Sequence, residues 1–165
     1  MREAPAAASA VSARPAAKAG ASGQAARRRE ATISLEATPR ALLEYEAFAD
    51  GLPFLVLGER NRLKLAGEEI LDNLIHHASP IEGDLIAIRA ARRRSGIVLG
   101  FYFRSPAFAC FVGDSSCPEP LFDAAHRRWR GIGLRMCNNL CRSIALRPGT
   151  TVDRIFLAFD PDRTN

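Results

Sequence analysis

Between Glu59 and Ala78 the chain sets Leu63, Ala66, Gly67, Ile70, Leu71, Leu74, Ile75 and Ala78 along one stripe at helical spacing, with charged residues opposite. A helix of this kind draws its stability from whatever dries that stripe, so it needs a partner surface. Ser79-Pro80 ends it, because the residue before a proline is pushed out of the helical region. Two runs with strand character follow, Asp84 to Ala90 and Gly96 to Phe103, separated by the polar link Arg92-Arg93-Arg94-Ser95. They read as a hairpin. An amphipathic helix beside an antiparallel hairpin points to an α+β fold, a two-layer sandwich of a mostly antiparallel sheet with helices on one face.

The remaining segments fit that plan. Thr32-Ile33-Ser34-Leu35 alternates as a short strand. Thr38 as N-cap, with Pro39 in the first helical position, then opens a helix to about Ala49, stopped by Asp50-Gly51-Leu52-Pro53. The run Ala107 to Val112 either extends the sheet or leads into a loop, and Gly113 to Pro120 is all turn chemistry. Gly131-Ile132-Gly133 opens a further helix to about Ala145, with Leu134, Met136, Cys137, Leu140, Cys141 and Ile144 at core spacing; Arg147-Pro148-Gly149 closes it. A last strand runs from Val152 to Phe159, and no segment repeats another.

The 165 residues carry a net charge of +5, which suggests a nucleic-acid or membrane-surface binder until the charges are located. Six basic and two acidic side chains give residues 1 to 31 a charge of +4, leaving +1 for the other 134. Those first 31 residues are dominated by Ala, Ser, Gly, Pro and Arg with almost no large apolar side chain, the composition of a disordered basic tail. A transit peptide or loose attachment to an acidic partner fits the same composition. Residues 32 to 160 then form one domain, with 161 to 165 a short tail. No direct contact with nucleic acid is expected. No run reaches the roughly 18 apolar residues of a membrane span. Four cysteines without a hydrophobic signal segment ahead of them fit a reducing, cytoplasmic setting.

Two constellations carry candidate chemistry. Glu69, Asn73 and His77, at i, i+4 and i+8, project along one edge of the apolar stripe, where they either line a pocket or make ordinary boundary hydrogen bonds. In Arg130-Gly131-Ile132-Gly133-Leu134 two glycines let a ligand approach the backbone at a helix N-terminus, whose free N–H groups favour an anion; the plain alternative is a turn into a helix. The four cysteines lack the paired spacing of a zinc site, so Cys137 and Cys141, at i and i+4, read as buried core thiols. Trp129 reads as a packing aromatic or a base-stacking one, and Arg92 to Arg94 as a solvated loop.

Taken together and in order, these segments resemble the GHKL ATP-binding fold of gyrases and histidine kinases, and most closely its small stand-alone branch, the bacterial anti-sigma-factor serine kinases. Glu69-Ile70-Leu71-Asp72-Asn73 is similar to the N box of that superfamily, and Arg130 to Leu134 to its last glycine box, with the resemblance running from about Thr32 to Phe159. It implies that Asn73 offers its amide oxygen to Mg2+ and that Glu69 is the general base toward a water or a partner's serine. It also implies that Gly131 and Gly133 meet the ATP phosphates with Leu134 beside them, that Arg130 or His77 adds positive charge there, and that Cys110 to Trp129 forms a mobile lid. The implied partner is a regulatory protein of sigma-factor or antagonist type, with a homodimer left open.

The family's Asp-x-Gly box, where the Asp accepts the adenine amino group, falls here on Phe103 and Ser105, and Asp114 substitutes only if the chain slips by about a strand length. An aromatic ring cannot accept that hydrogen bond, and a buried donor left unpaired costs about 1 to 3 kcal/mol. Two expectations therefore stand side by side: an ATP–Mg2+ binding serine kinase, and a degenerate member that keeps the fold as a protein-interaction module with Phe103 filling the adenine space. A nucleotide-free phosphotransfer or dimerisation partner ranks below both, because the chain lacks room for a separate helical hairpin.

Overall fold

The computed structural model describes residues 29–78, 80–81, 83–108, 132–161 and the backbone of 121–123 and 128–130. Among the described residues the elements follow in the order β1 (Glu30–Glu36), α1 (Arg40–Asp50), α2 (Leu57–His77), β2 (Leu85–Arg93), β3 (Gly96–Phe103), β4 (Leu121–Asp123), β5 (Arg128–Arg130), α3 (Ile132–Leu140), β6 (Ser143–Arg147) and β7 (Asp153–Phe159). Five strands form one sheet in the order β1-β2-β3-β7-β6, every neighbouring pair antiparallel. Against it lie α1 beside β1, α3 beside β6, and α2 between α1 and α3. The expected two-layer α+β sandwich is the observed one.

Strand parity places the core. In β7, Asp153, Ile155, Leu157 and Phe159 are buried while Arg154, Phe156 and Ala158 are on the open side; in β3, Ile97, Leu99, Phe101 and Phe103 take the buried parity. From the helices come Tyr45, Leu63, Ala66, Ile70, Leu71 and Leu74. The α2 stripe read from sequence thus meets the sheet face read from sequence. Gly67 sets the distance between α1 and α2. The Tyr45 hydroxyl donates to the Leu63 carbonyl at 2.7 Å, and a Cβ on Gly67 would overlap the Tyr45 ring and hydroxyl.

Several boundaries differ from the sequence reading. The β1 ladder starts at Glu30, paired with Ala91, so the domain takes in two residues assigned to the tail. Helix α1 begins at Arg40 with Pro39 in the N-cap position and no side-chain cap bond, so Thr38 does not cap it. Arg92 and Arg93 belong to β2 and leave only Arg94-Ser95 as the turn, closed by Gly96 at φ 123°, where a Cβ would strike the Phe159 carbonyl. Arg92 is therefore no solvated loop residue. It points inward to the carboxylate of Glu59, which is 2 % exposed, and donates Nε to the Phe54 carbonyl at 2.8 Å. A buried carboxylate needs such a cation, and that need draws the strand past the expected link.

The helix expected to run to Ala145 stops at Leu140, and Ser143–Arg147 is a strand on the sheet edge. Cys141 closes the last turn through its N–H to the Cys137 carbonyl at 2.9 Å; the next residue, Arg142, donates its N–H to Ala158 of β7 at 2.7 Å. Ile144 and Leu146 suit both a helical stripe and a strand alternation, and the free edge of β7 decides between them. Arg147-Pro148-Gly149 closes this strand rather than a helix. Most of the expected run Ala107 to Val112 and most of the expected lid lie outside the described residues. Within that lid span the backbone of β4 and β5 forms a short antiparallel ladder, Leu121 facing Arg130 and Asp123 facing Arg128. No helix among the described residues is long and apolar enough to cross a membrane.

Candidate functional site at the junction of α2 and α3

The site is built where α3 crosses α2. Cys137 Sγ donates to the Ala66 carbonyl at 3.5 Å, and one helical turn earlier Gly133 lies on Glu69. Residue numbers rise along α3 as they fall along α2, so the two helices run antiparallel. Gly133 makes the approach possible: a Cβ there would occupy the space of the Glu69 carboxylate. Segments separated by some sixty residues of chain, the Glu69-to-Asn73 row and the Gly133 turn, are thereby in contact.

Glu69 and Asn73 are half-buried and bound to each other. The Asn73 Nδ2 group donates to the Glu69 carbonyl at 2.7 Å and to Glu69 Oε1 at 2.8 Å, which uses both of its hydrogens. That arrangement fixes the amide orientation and leaves Oδ1 outside both bonds. His77, the third member of the row, is exposed at the end of α2, its ring 6.4 Å from that of His76, so it joins neither partner. Leu134 is half-buried and packs on the core. Gly131 and the side chain of Arg130 lie outside the described residues.

The electrostatics of the junction are acidic. Burial, then the neighbouring Glu46, push the Glu68 carboxyl above the usual range. Lys64 answers part of this charge, donating to Glu46 Oε1 at 2.9 Å and Asp50 Oδ2 at 3.0 Å. Burial, then Cys141, then Glu69 raise the Cys137 thiol to about 12, and burial raises Cys141 to about 12. Both are free and buried, as their spacing implied. Cys110 and Cys117 lie outside the described residues. Among the described residues no group of three or more His, Cys, Asp or Glu side chains is placed to hold a metal ion.

At the other end of α2, Phe103 and Ser105 do not form an open base-binding position. Phe103 is 2 % exposed and meets Phe108 edge-on with centroids 4.9 Å apart. The Ser105 hydroxyl donates to the Ala78 carbonyl at the C-cap of α2, and its N–H donates to Asp153 Oδ2 at 3.0 Å. Asp153 is the residue that sequence reading passed over. It pairs with Phe103 in the ladder, is 7 % exposed, accepts the Gly149 N–H on Oδ1 at 3.0 Å, and borders a hollow of about 310 Å³ with Ser105 and Thr151. Its signal was available: an acid at the inward parity of an apolar strand must be satisfied by something.

No protein-family model matches the chain, and no curated protein matches it. What the site can do therefore rests on its own geometry.

Proposed function

We propose that this chain is a GHKL-type regulator resembling bacterial anti-sigma-factor serine kinases, acting in the cytoplasm on a regulatory protein partner with ATP and Mg2+. The observation that supports it is the contact between the Asn73-bound Glu69 carboxylate and Gly133, which joins the two segments that carry the resemblance. Mg2+ is a hard cation that takes oxygen ligands and would neutralise phosphate charge; Asn73 Oδ1, left outside both amide hydrogen bonds, suits it. Glu69 would take the proton of a partner's serine hydroxyl as that oxygen bonds to the γ-phosphorus and the bond to the ADP oxygen breaks. Gly131 and Gly133 would let the phosphates approach the start of α3, with Arg130 and His77 as flanking charges. Isothermal titration with ATP and Mg2+ tests this reading: saturable binding that Asn73→Ala abolishes is expected, and no heat at millimolar nucleotide would remove the kinase assignment.

Phe103 favours a second reading. Its ring is buried against Phe108 and offers no acceptor to an adenine amino group, which supports a degenerate member serving as a protein-interaction module without nucleotide. In that case Asn73→Ala leaves partner binding intact, and a variant that loses partner and nucleotide together would argue against it.

A further inference from the structure

A groove of about 440 Å³ runs over α2 between α1 and α3. Its apolar surface comes from all three helices: Leu43, 70 % exposed, from α1; Leu65, 47 % exposed, from α2; and Met136 from α3. Its polar surface is acidic throughout, formed by Glu46, Glu68, Glu69 and Asp72. Leu65, Glu68, Glu69 and Asp72 fall at i, i+3, i+4 and i+7, so they line one continuous strip of α2. The sequence alone hid this, since the charges opposite the core stripe pass for a solvated face.

We infer that this groove is the docking site for a basic amphipathic helix of a protein partner, its apolar side chains seated on Leu43, Leu65 and Met136 and its Lys or Arg side chains on Glu68 and Asp72. Exposed leucines beside a hollow are what an amphipathic helix covers when it lies in a groove. The charge selects the occupant. A second copy in a two-fold arrangement would bring the same four carboxylates against themselves. The chain's own basic arm supplies charge through Arg2, Arg14, Lys18, Arg27 and Arg28, but only Met1 and Val11 among its first 28 residues are large and apolar, too few anchors for three apolar walls. Lys64, next to Leu65 in sequence, is already held by Glu46 and Asp50, and burial of Glu68 beside Glu46 marks carboxylate charge that a partner's cation would relieve. Glu69 lies on the same strip, so a helix seated here has its flanking residues beside the candidate base.

The inference rests on the proposed function only for the existence of a protein partner, and nucleotide is left out of its test. The probe is a fluorescein-labelled model helix with Leu at i, i+3, i+4 and i+7 and Lys on its polar face, titrated with the full chain at about 0.15 M salt and followed by anisotropy. A control peptide carries Glu in place of Lys. The Lys probe is expected to bind at least about tenfold tighter than the Glu control, and Leu43→Asp and the pair Glu68→Lys with Asp72→Lys are each expected to weaken it by about tenfold or more. Leu57→Asp, at an equally exposed leucine outside the groove, is expected to change nothing and shows that an added charge does not unfold the protein. Absence of binding, equal binding of both peptides, or binding indifferent to Leu43→Asp would overturn the inference. So would a large gain in probe affinity on deleting residues 1–28, which would place the basic arm in the groove. Peptide docking without ATP binding would leave this inference standing and remove the kinase; ATP binding without docking would do the reverse.

Discussion

The Glu69 carboxylate lies directly against the Cα of Gly133, so that no residue with a side chain fits at position 133 while Glu69 keeps its hydrogen bond to Asn73. The obstacle is the far end of a flexible side chain, which can swing aside. Gly133→Ala is therefore expected to change stability by no more than about 1 kcal/mol, because alanine's better helix propensity offsets the lost contact. The Asn73 side-chain amide resonances are expected to shift strongly in NMR spectra. Unchanged Asn73 signals would mean that Glu69 does not occupy that space.

Gly67 differs, because what stands over it is a fully buried ring. Gly67→Ala is expected to cost about 1 to 3 kcal/mol through overpacking against Tyr45. Tyr45→Phe alone should cost about 1 kcal/mol through the lost bond to Leu63. Because the hydroxyl is the nearest atom to the added methyl, the double variant should be more stable than the sum of the two losses allows. Urea unfolding of the four proteins measures this, and strict additivity would contradict the packing described.

The Glu59–Arg92 pair ties the first turn of α2 to the end of β2. Arg92→Met leaves a buried carboxylate without its cation and is expected to cost about 3 kcal/mol in denaturant unfolding. Arg93→Met, whose partner Glu30 is exposed at the surface, should cost under about 1 kcal/mol. Equal effects would place Arg92 in solvent after all.

Glu68 titrates above the usual carboxyl range, so its ionisation weakens the fold as pH rises through that raised value, and the penalty is absent where it is protonated in both states. Glu68→Gln is accordingly expected to raise Tm near pH 7 and to match the parent protein at pH 4 and below. A gain that persists at low pH would indicate a cause other than charge.

Cys137 and Cys141 are held protonated to about pH 12. At pH 8 both are expected to resist a thiol reagent in the native protein and to react in denaturant, with the sites mapped by mass spectrometry. Their raised values also mean that stability contributed by the buried neutral thiols falls as pH climbs from about 9 toward 12. Native labelling of Cys137 at pH 8 would show that α3 opens from α2.

Much of the fold was legible because periodicity reports which side of an element is dry. The α2 stripe and the β3 run survive almost residue for residue, Gly96 to Phe103 without change. Periodicity fails where both repeats are satisfied, as at Ile144 and Leu146, and where a distant group dictates conformation, as Glu59 does for Arg92. Of the candidate site, the row Glu69 and Asn73 was readable from i, i+4 spacing, whereas His77, on the same spacing, points to solvent because α2 ends there.

The amino-acid sequence by itself determined the helix and strand periods, the α+β class, the burial of the Cys137 and Cys141 thiols and the concentration of net positive charge in the first 31 residues. Only the tertiary structure decided that Gly133 rests on Glu69, that Asp153 is satisfied by the backbone of Ser105 and Gly149, and that four carboxylates share one groove with the exposed Leu43 and Leu65 and with Met136. The physical reason is range. Hydrophobic periodicity is written within a single element, but the partner of a buried carboxylate, and the surface left uncovered when three helices meet, depend on which distant segments the sheet order brings side by side.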